Sequence, residues 1–358
     1  MSSAGWQMAS VWAELKRRNV VKVAVAFAVA AKLCVLTVLV AASASAHHSH
    51  TRFDLDRVVA FQGTVVEFEW KNPHVYLTVA DEAGAEWIIE TDPTPVMSRS
   101  GWTSDSFSPG DAVAVRANPD RRPDVTHGLL LSIEGPDGIS MASWNTTTQD
   151  THDGPVARAT TLEGVWQGER SSLKNFVVHM SAQPLTEKGE AAKSAYNDLL
   201  NPTVECISWP TPFILSSYLY LSELELGDEI VTFRNEFYGT ERTIYMDGRP
   251  HPADFERTLQ GHSVGHWAGD TLVVDTVGFA DHRSPYGSGT GIPSGAEKHV
   301  IERYRLSEDG TQAFVDIVLE DPEYISVPVT ATFAWRYSPH FEMLELGCDR
   351  EIAIRSTQ

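Results

Sequence analysis

Val300-Ile301-Glu302-Arg303-Tyr304-Arg305, the turn Glu308-Asp309-Gly310, Ala313-Phe314-Val315-Asp316-Ile317-Val318-Leu319 and then Val329-Thr330-Ala331-Thr332-Phe333-Ala334-Trp335 decide the fold. Apolar and β-branched residues alternate with polar ones at a period of two, which is the signature of a half-buried strand. The short Asp-Gly turn makes the first two strands antiparallel neighbours. Working toward the N-terminus, the same pattern recurs in Thr271–Thr276, Arg242–Met246 and Glu229–Arg234, with turns at Ala268-Gly269-Asp270 and Met246-Asp247-Gly248. This predicts a closed or nearly closed up-and-down barrel of about eight strands over residues 162–358, wide enough for one small ligand. One helix is expected within it, from Leu185 to Leu200, capped by Thr186 and ended by Asn201-Pro202.

A second strand-rich block lies upstream. Thr64–Trp70, Val75–Val79, Glu86–Glu90, Ala112–Val115 and Leu129–Ile133 read as short strands, with turns at Asp81-Glu82-Ala83-Gly84 and Ser108-Pro109-Gly110-Asp111. About five strands in this length fit a small OB-like barrel over residues 47–136, with a helical turn between Ser98 and Ser106. Residues 137–161, rich in Ser, Thr, Asn, Asp and Gly, read as a linker. The chain is thus mainly β: an OB-like small barrel, then a lipocalin-like antiparallel β-barrel with one short helix.

The first 46 residues read as an address. A basic cluster including Arg17-Arg18 precedes an apolar run from Val20 to Ala42, and Ala44-Ser45-Ala46 offers a signal-peptidase site. The paired arginines also fit a twin-arginine export signal. If uncleaved, residues 1–46 would act as an N-terminal membrane anchor, the chain's one membrane contact. Either way the protein is expected in the periplasm, or anchored to the inner membrane facing it. Net charge is −20, and with five basic residues against one acidic in the first 46, the rest carries −24. A surface so negative repels phosphate backbones and excludes nucleic acid as a natural partner. Of three cysteines, Cys34 lies in the apolar run, leaving Cys206 and Cys348 as an expected disulfide.

Cleavage after Ala46 would make His47 the first residue. Its free amine and ring nitrogen would then chelate one metal ion, and a third nitrogen from His74 or His127 would complete a copper-preferring set. That is the histidine-brace arrangement of copper oxygenases and copper carriers, by chemical analogy. In the barrel, Arg242, His251, His262, His266, His299, Glu302 and Arg303 are the candidate ligand-binding residues. Arg242 suits an anionic ligand held by two hydrogen bonds. A histidine beside a carboxylate such as Asp270 or Glu302 suits acid–base work. Alternation places Arg303 and Arg305 on one face and Glu302 on the other. Ser263 lacks the serine-hydrolase elbow, and no phosphate loop or dinucleotide fingerprint occurs.

Ala46-His47-His48-Ser49, Gly63-Thr64-Val65, Phe68-x-Trp70-x-Asn72-Pro73-His74 and Gly101-Trp102 before Pro109-Gly110-Asp111 resemble a family of small exported bacterial proteins of unknown function. Gly164-Val165-Trp166 resembles the opening of lipocalin-type barrels, where the tryptophan plugs one end. Asp247-Gly248-Arg249-x-His251-Pro252, Gly265-x-Trp267-x-Gly269-Asp270-Thr271-Leu272-Val273-Val274 and Glu302-Arg303-Tyr304 resemble a second family of exported bacterial proteins with no assigned reaction. The resemblances imply architecture and location without a chemistry. The leading expectation is a cell-envelope protein that binds a small molecule, with copper as cofactor at His47. The alternatives are a periplasmic enzyme, either a copper oxidase through His47 or an acid–base catalyst in the barrel, and an envelope assembly module.

Overall fold

The computed structural model describes residues 52–138, 140–143, 156–197, 200–254, 256–287 and 289–355. The described residues all belong to one compact unit. The expected export segment with its expected cleavage site, Cys34, His47 and most of the expected linker lie outside the described residues. Among those described, no helix is long and apolar enough to cross a membrane.

The first barrel is built from β1 (Val59–Glu69), β2 (Tyr76–Asp81), β3 (Glu86–Glu90), α1 (Thr94–Arg99), β4 (Ala112–Pro119) and β5 (His127–Glu134), with β6 (Ser140–Ala142) added along β5. Strand β1 pairs with both β2 and β4, β2 with β3, and β4 with β5. A parallel β3–β5 pairing, Ile88–Glu90 beside His127–Leu129, closes the circle. That circuit, with a helix between β3 and β4, is the expected OB-like arrangement. Strict alternation in β1 fails at one point, because Val65 and Phe68 both belong to the core although their parities differ. A bulge at Val66 between Val65 and Glu67 reconciles them. The helix lies earlier than expected: Pro95 sets its first turn, and it ends at Ser100 just before Gly101, whose φ is +86°.

The second barrel comprises β7 (Gly164–Gly168), α2 (Arg170–Ser181), α3 (Glu187–Ser194), β8 (Leu221–Leu226), β9 (Ile230–Asn235), β10 (Thr240–Tyr245), β11 (His262–Ala268), β12 (Thr271–Val277), the small ribbon β13 (His282–Pro285) and β14 (Pro293–Ser294), β15 (His299–Leu306), β16 (Gln312–Glu320) and β17 (Val329–Tyr337). A terminal helix α4 (Arg350–Arg355) follows. The barrel closes with nine strands rather than about eight, in the order β7-β8-β9-β10-β11-β12-β15-β16-β17. Neighbours are antiparallel except β10 and β11, which run parallel and pair at only two positions, Ile244–Ser263 and Tyr245–Val264. The inward positions carry large side chains: Trp166, Phe233, Tyr304, Phe333 and Trp335 are all buried. Trp166 donates its indole N–H to the Leu162 carbonyl at 3.0 Å.

Two helices fall where one was expected. In α2, Leu173, Phe176, Val177 and Met180 repeat at the i, i+3, i+4, i+7 spacing of an amphipathic helix and pack on the core, a signal the sequence reading passed over. The expected helix is shorter than Leu185–Leu200, running Glu187–Ser194, with Thr186 Oγ1 accepting the Gly189 N–H as its cap. Cys206 and Cys348 are disulfide-bonded, their Cα atoms 5.9 Å apart, as expected. Each barrel has its own core. Between them, Arg99 at the end of α1 pairs with the buried Glu236 carboxylate, which also accepts the Leu221 and Leu344 N–H groups. Arg355 pairs with Glu69, and the Asp349 N–H reaches the Asn72 carbonyl at 3.0 Å.

Candidate functional sites in the two barrels

In the first barrel, His74 precedes β2 and His127 opens β5. Far apart in sequence, they face the two oxygens of one carboxylate, Glu90 at the end of β3. His74 Nδ1 lies 3.5 Å from Glu90 Oε1, and His127 Nε2 lies 3.5 Å from Oε2. The parallel β3–β5 pairing does this, since it sets Ile88 beside His127 and Glu90 beside Leu129. Glu90 is fully buried, and the Tyr76 hydroxyl donates to its Oε2 at 3.2 Å. Burial, then the Glu90 charge, pushes the Tyr76 phenol far above its ordinary range, so it stays a donor. His74 Nδ1 is 3.0 Å from the Thr91 carbonyl. A carbonyl only accepts, so Nδ1 carries the proton and Nε2 keeps its lone pair. A ring nitrogen tied to a backbone carbonyl is the usual support of a metal-ligating histidine. His127 Nε2 is buried without a hydrogen-bond partner among the described residues. Phe53 packs edge-on against the His127 ring at 5.2 Å. Its neighbour Arg52 pairs with Asp120 at 2.8 Å. Among the described residues, no three His, Cys, Asp or Glu side chains gather as a metal ion would require.

The barrel set divides across the wall, as alternation requires. Arg242 and Glu302 point inward and are buried, whereas Arg303 is exposed outside. The two-point hydrogen bond expected for an anionic ligand is made instead with Glu302, at 2.7 and 2.6 Å. Thr211 Oγ1 and the Tyr304 hydroxyl complete the surroundings of Arg242 at 3.0 and 3.2 Å. Its Nε is buried with no acceptor among the described residues.

Outside, three of the four histidines converge. His251, from the long β10–β11 connection, places Nδ1 2.8 Å from His262 Nδ1 and Nε2 3.2 Å from Asp275 Oδ1. His299 Nε2 approaches the same oxygen at 2.9 Å. The carboxylate partner is therefore Asp275, on the outward face of β12, and not Asp270 or Glu302; Asp270 is an exposed turn residue. Because the Asp275 carboxylate accepts, His251 carries a proton on Nε2, and a hydrogen bond joins its Nδ1 to His262 Nδ1. Burial, then the His251 and Arg249 charges, lowers the His262 pKa. His266 sits four residues farther along β11, exposed and outside the cluster. Asp275 carried no motif in the sequence beyond its place in an alternating strand. Neither did Lys298, which is fully buried with its ammonium on the Ser294 hydroxyl.

Residues 35–130 match the model of a family of unknown function, DUF6152. The match covers the OB-like barrel through β4 and the start of β5. No curated protein matches the chain. Among solved structures, wild-type fluorescent protein UnaG aligns at 13% identity over 49% of this chain and 96% of that one, with a TM-score of 0.25. An asparagine-to-alanine mutant of UnaG aligns at 12% identity over 49% and 95%, with the same TM-score. The fold class rests on the strand pairing described above.

Proposed function

We propose that this chain is a cell-envelope binding protein that carries copper on its first barrel. His74 and His127 supply imidazole nitrogens, and a chain cut after Ala46 supplies the His47 amine and ring. The observation that carries the reading is that the fold brings both His74 and His127 to the Glu90 carboxylate, His74 through Nδ1, which leaves its Nε2 on the other side of the ring. A set of imidazole and amine nitrogens suits Cu(II). Two supports are independent of each other. The His74 ring is held by the Thr91 carbonyl in the tautomer that leaves Nε2 as a donor to metal. Phe53, in contact with His127, is six residues beyond His47, a stretch that reaches up to roughly 20 Å when extended. Glu90 would offset the positive charge that copper brings into a buried place.

The test is metal analysis and electron paramagnetic resonance of protein purified from the envelope of an exporting host. One copper per chain beginning at His47, with nitrogen hyperfine structure, is expected. His74→Ala and His127→Ala should each weaken binding at least tenfold. A processed chain that takes up no copper, or two variants that bind it as tightly as the parent, would remove the proposal.

A further inference from the structure

The second barrel closes with a gap in its wall. Ile244 pairs with Ser263 and Tyr245 with Val264, so in a regular parallel pair the residues before Ser263 would lie beside Thr240–Thr243. They are turned away instead. Gly261 takes a φ of +74° and donates its N–H to the Thr258 carbonyl, and Thr258 is tied by backbone hydrogen bonds to Gly278 and Ala280 beyond β12. Gln260 is pinned by the Thr211 hydroxyl at 2.9 Å and the Trp209 carbonyl at 2.8 Å. The space left beside β10 is a cleft of about 700 Å³.

What β10 offers to that space is backbone. Met246 donates its N–H to the Glu229 carbonyl, on the β9 side. A period of two then turns the backbone groups of Thr240, Arg242 and Ile244 toward β9, and those of Glu241 and Thr243 toward the gap. The parallel ladder at Ser263 takes up the Thr243 carbonyl. The Glu241 N–H and C=O and the Thr243 N–H are left without a backbone partner among the described residues. Both residues line the cleft, Glu241 exposed and Thr243 half-buried, with side chains on the outer face. We propose that this gap accepts an extended peptide segment of a partner protein, added as a strand along β10 and carrying alternate apolar and basic side chains. An open strand edge is a template for another chain: main-chain bonds give affinity, and alternate side chains give specificity. Ile207, 39% exposed, and the half-buried Leu259 line the cleft and provide apolar contact. Glu256, exposed on the same wall, is in no ion pair among the described residues and suits a basic side chain. The charge of −24 beyond residue 46 favours the same partner.

The inference is independent of copper, and its test uses metal-free protein recovered from the exporting host. A fluorescein-labelled peptide, Thr-Lys-Val-Lys-Val-Thr, would be titrated by fluorescence anisotropy beside three relatives. One has glutamates in place of the lysines, one is N-methylated on both lysines, and one on both valines. The parent peptide is expected to bind saturably, and the glutamate form at least tenfold more weakly. A strand added to an edge turns alternate N–H groups toward it, so one N-methylated form should lose at least tenfold and the other less than threefold. Thr243→Pro keeps the β9 ladder, because that N–H points into the gap, and its ring stands where the added strand would pair. It should weaken binding at least tenfold with the near-ultraviolet circular dichroism of the barrel retained. If that variant loses its fold, Glu256→Lys takes its place and should weaken binding at least threefold. No saturable binding, equal effects of the two N-methylations, a glutamate form that binds as tightly, or undiminished binding by the folded variant would each overturn the proposal. A parent dimer that the folded variant turns into a monomer would assign the edge to a second copy of this chain and overturn it as well.

Discussion

Lys298→Met should stabilise this protein at neutral and acid pH, and the gain should fade as pH rises. Lys298 is fully buried between β14 and β15, with its ammonium on the Ser294 hydroxyl and 4.0 Å from the centre of the Phe279 ring. The nearest carboxylate that influences it, Asp321, is already engaged by the Tyr286 hydroxyl at 2.7 Å and the Gly295 N–H at 2.8 Å. Burial therefore pulls the Lys298 pKa down from 10.5 to about 7. A difference of about 3.5 corresponds to roughly 5 kcal/mol between the charged and neutral forms. The sign follows from proton binding. Between pH 7 and 10.5 the unfolded chain holds this proton and the native one does not, so stability rises with pH across that window. Below pH 7 both states are protonated and the whole penalty is present. Methionine has similar length and no charge, and the Ser294 hydroxyl keeps Tyr286 as a partner. The variant should therefore gain roughly 3–5 kcal/mol at pH 6 and about 1 kcal/mol or less near pH 10. Urea unfolding followed by tryptophan fluorescence, at pH 6, 7, 8, 9 and 10 under oxidising conditions, measures this directly. A variant no more stable than the parent at pH 6, or a gain that stays constant to pH 10, would refute the reasoning.

Two further outcomes follow from the same geometry. Paired Cys206→Ser and Cys348→Ser substitutions remove a cross-link between residues 142 apart in sequence, and the chain-entropy relation puts the loss near 5 kcal/mol; thermal melting with and without reductant should show the parent, when reduced, falling to the variant's midpoint. Glu302→Ala strands the buried Arg242 charge and should cost about 3–5 kcal/mol in urea unfolding, whereas Arg242→Met with Glu302→Leu should recover most of it; a double variant as unstable as the single one would mean that the pair itself, and not the orphaned charge, holds the barrel.

Strand placement and the facing of side chains were legible in the sequence because both are local. Alternation alone put Glu302 on one face of its strand and Arg303 on the other, and the Asp-Gly and Gly-Asp turns marked the antiparallel neighbours. The strand count and turns foresaw an OB-like barrel, and counting the cysteines left after the N-terminal segment foresaw the pair. It failed at α2, where Leu173, Phe176, Val177 and Met180 carried a helical repeat inside a strand-rich context. Which groups meet was decided by the tertiary structure. The parallel β3–β5 pairing brings Glu90 between His74 and His127, and the fold of the long β10–β11 connection brings His251 to Asp275 and His262. Arg242 could be read as a strand residue able to make a two-point hydrogen bond, but its partner Glu302 lies on another strand of the barrel. The physical reason is the range of the forces. A strand's period is fixed by the backbone of adjacent residues, whereas register and closure are fixed by the packing of the whole core, and only closure sets side chains from distant strands against one another.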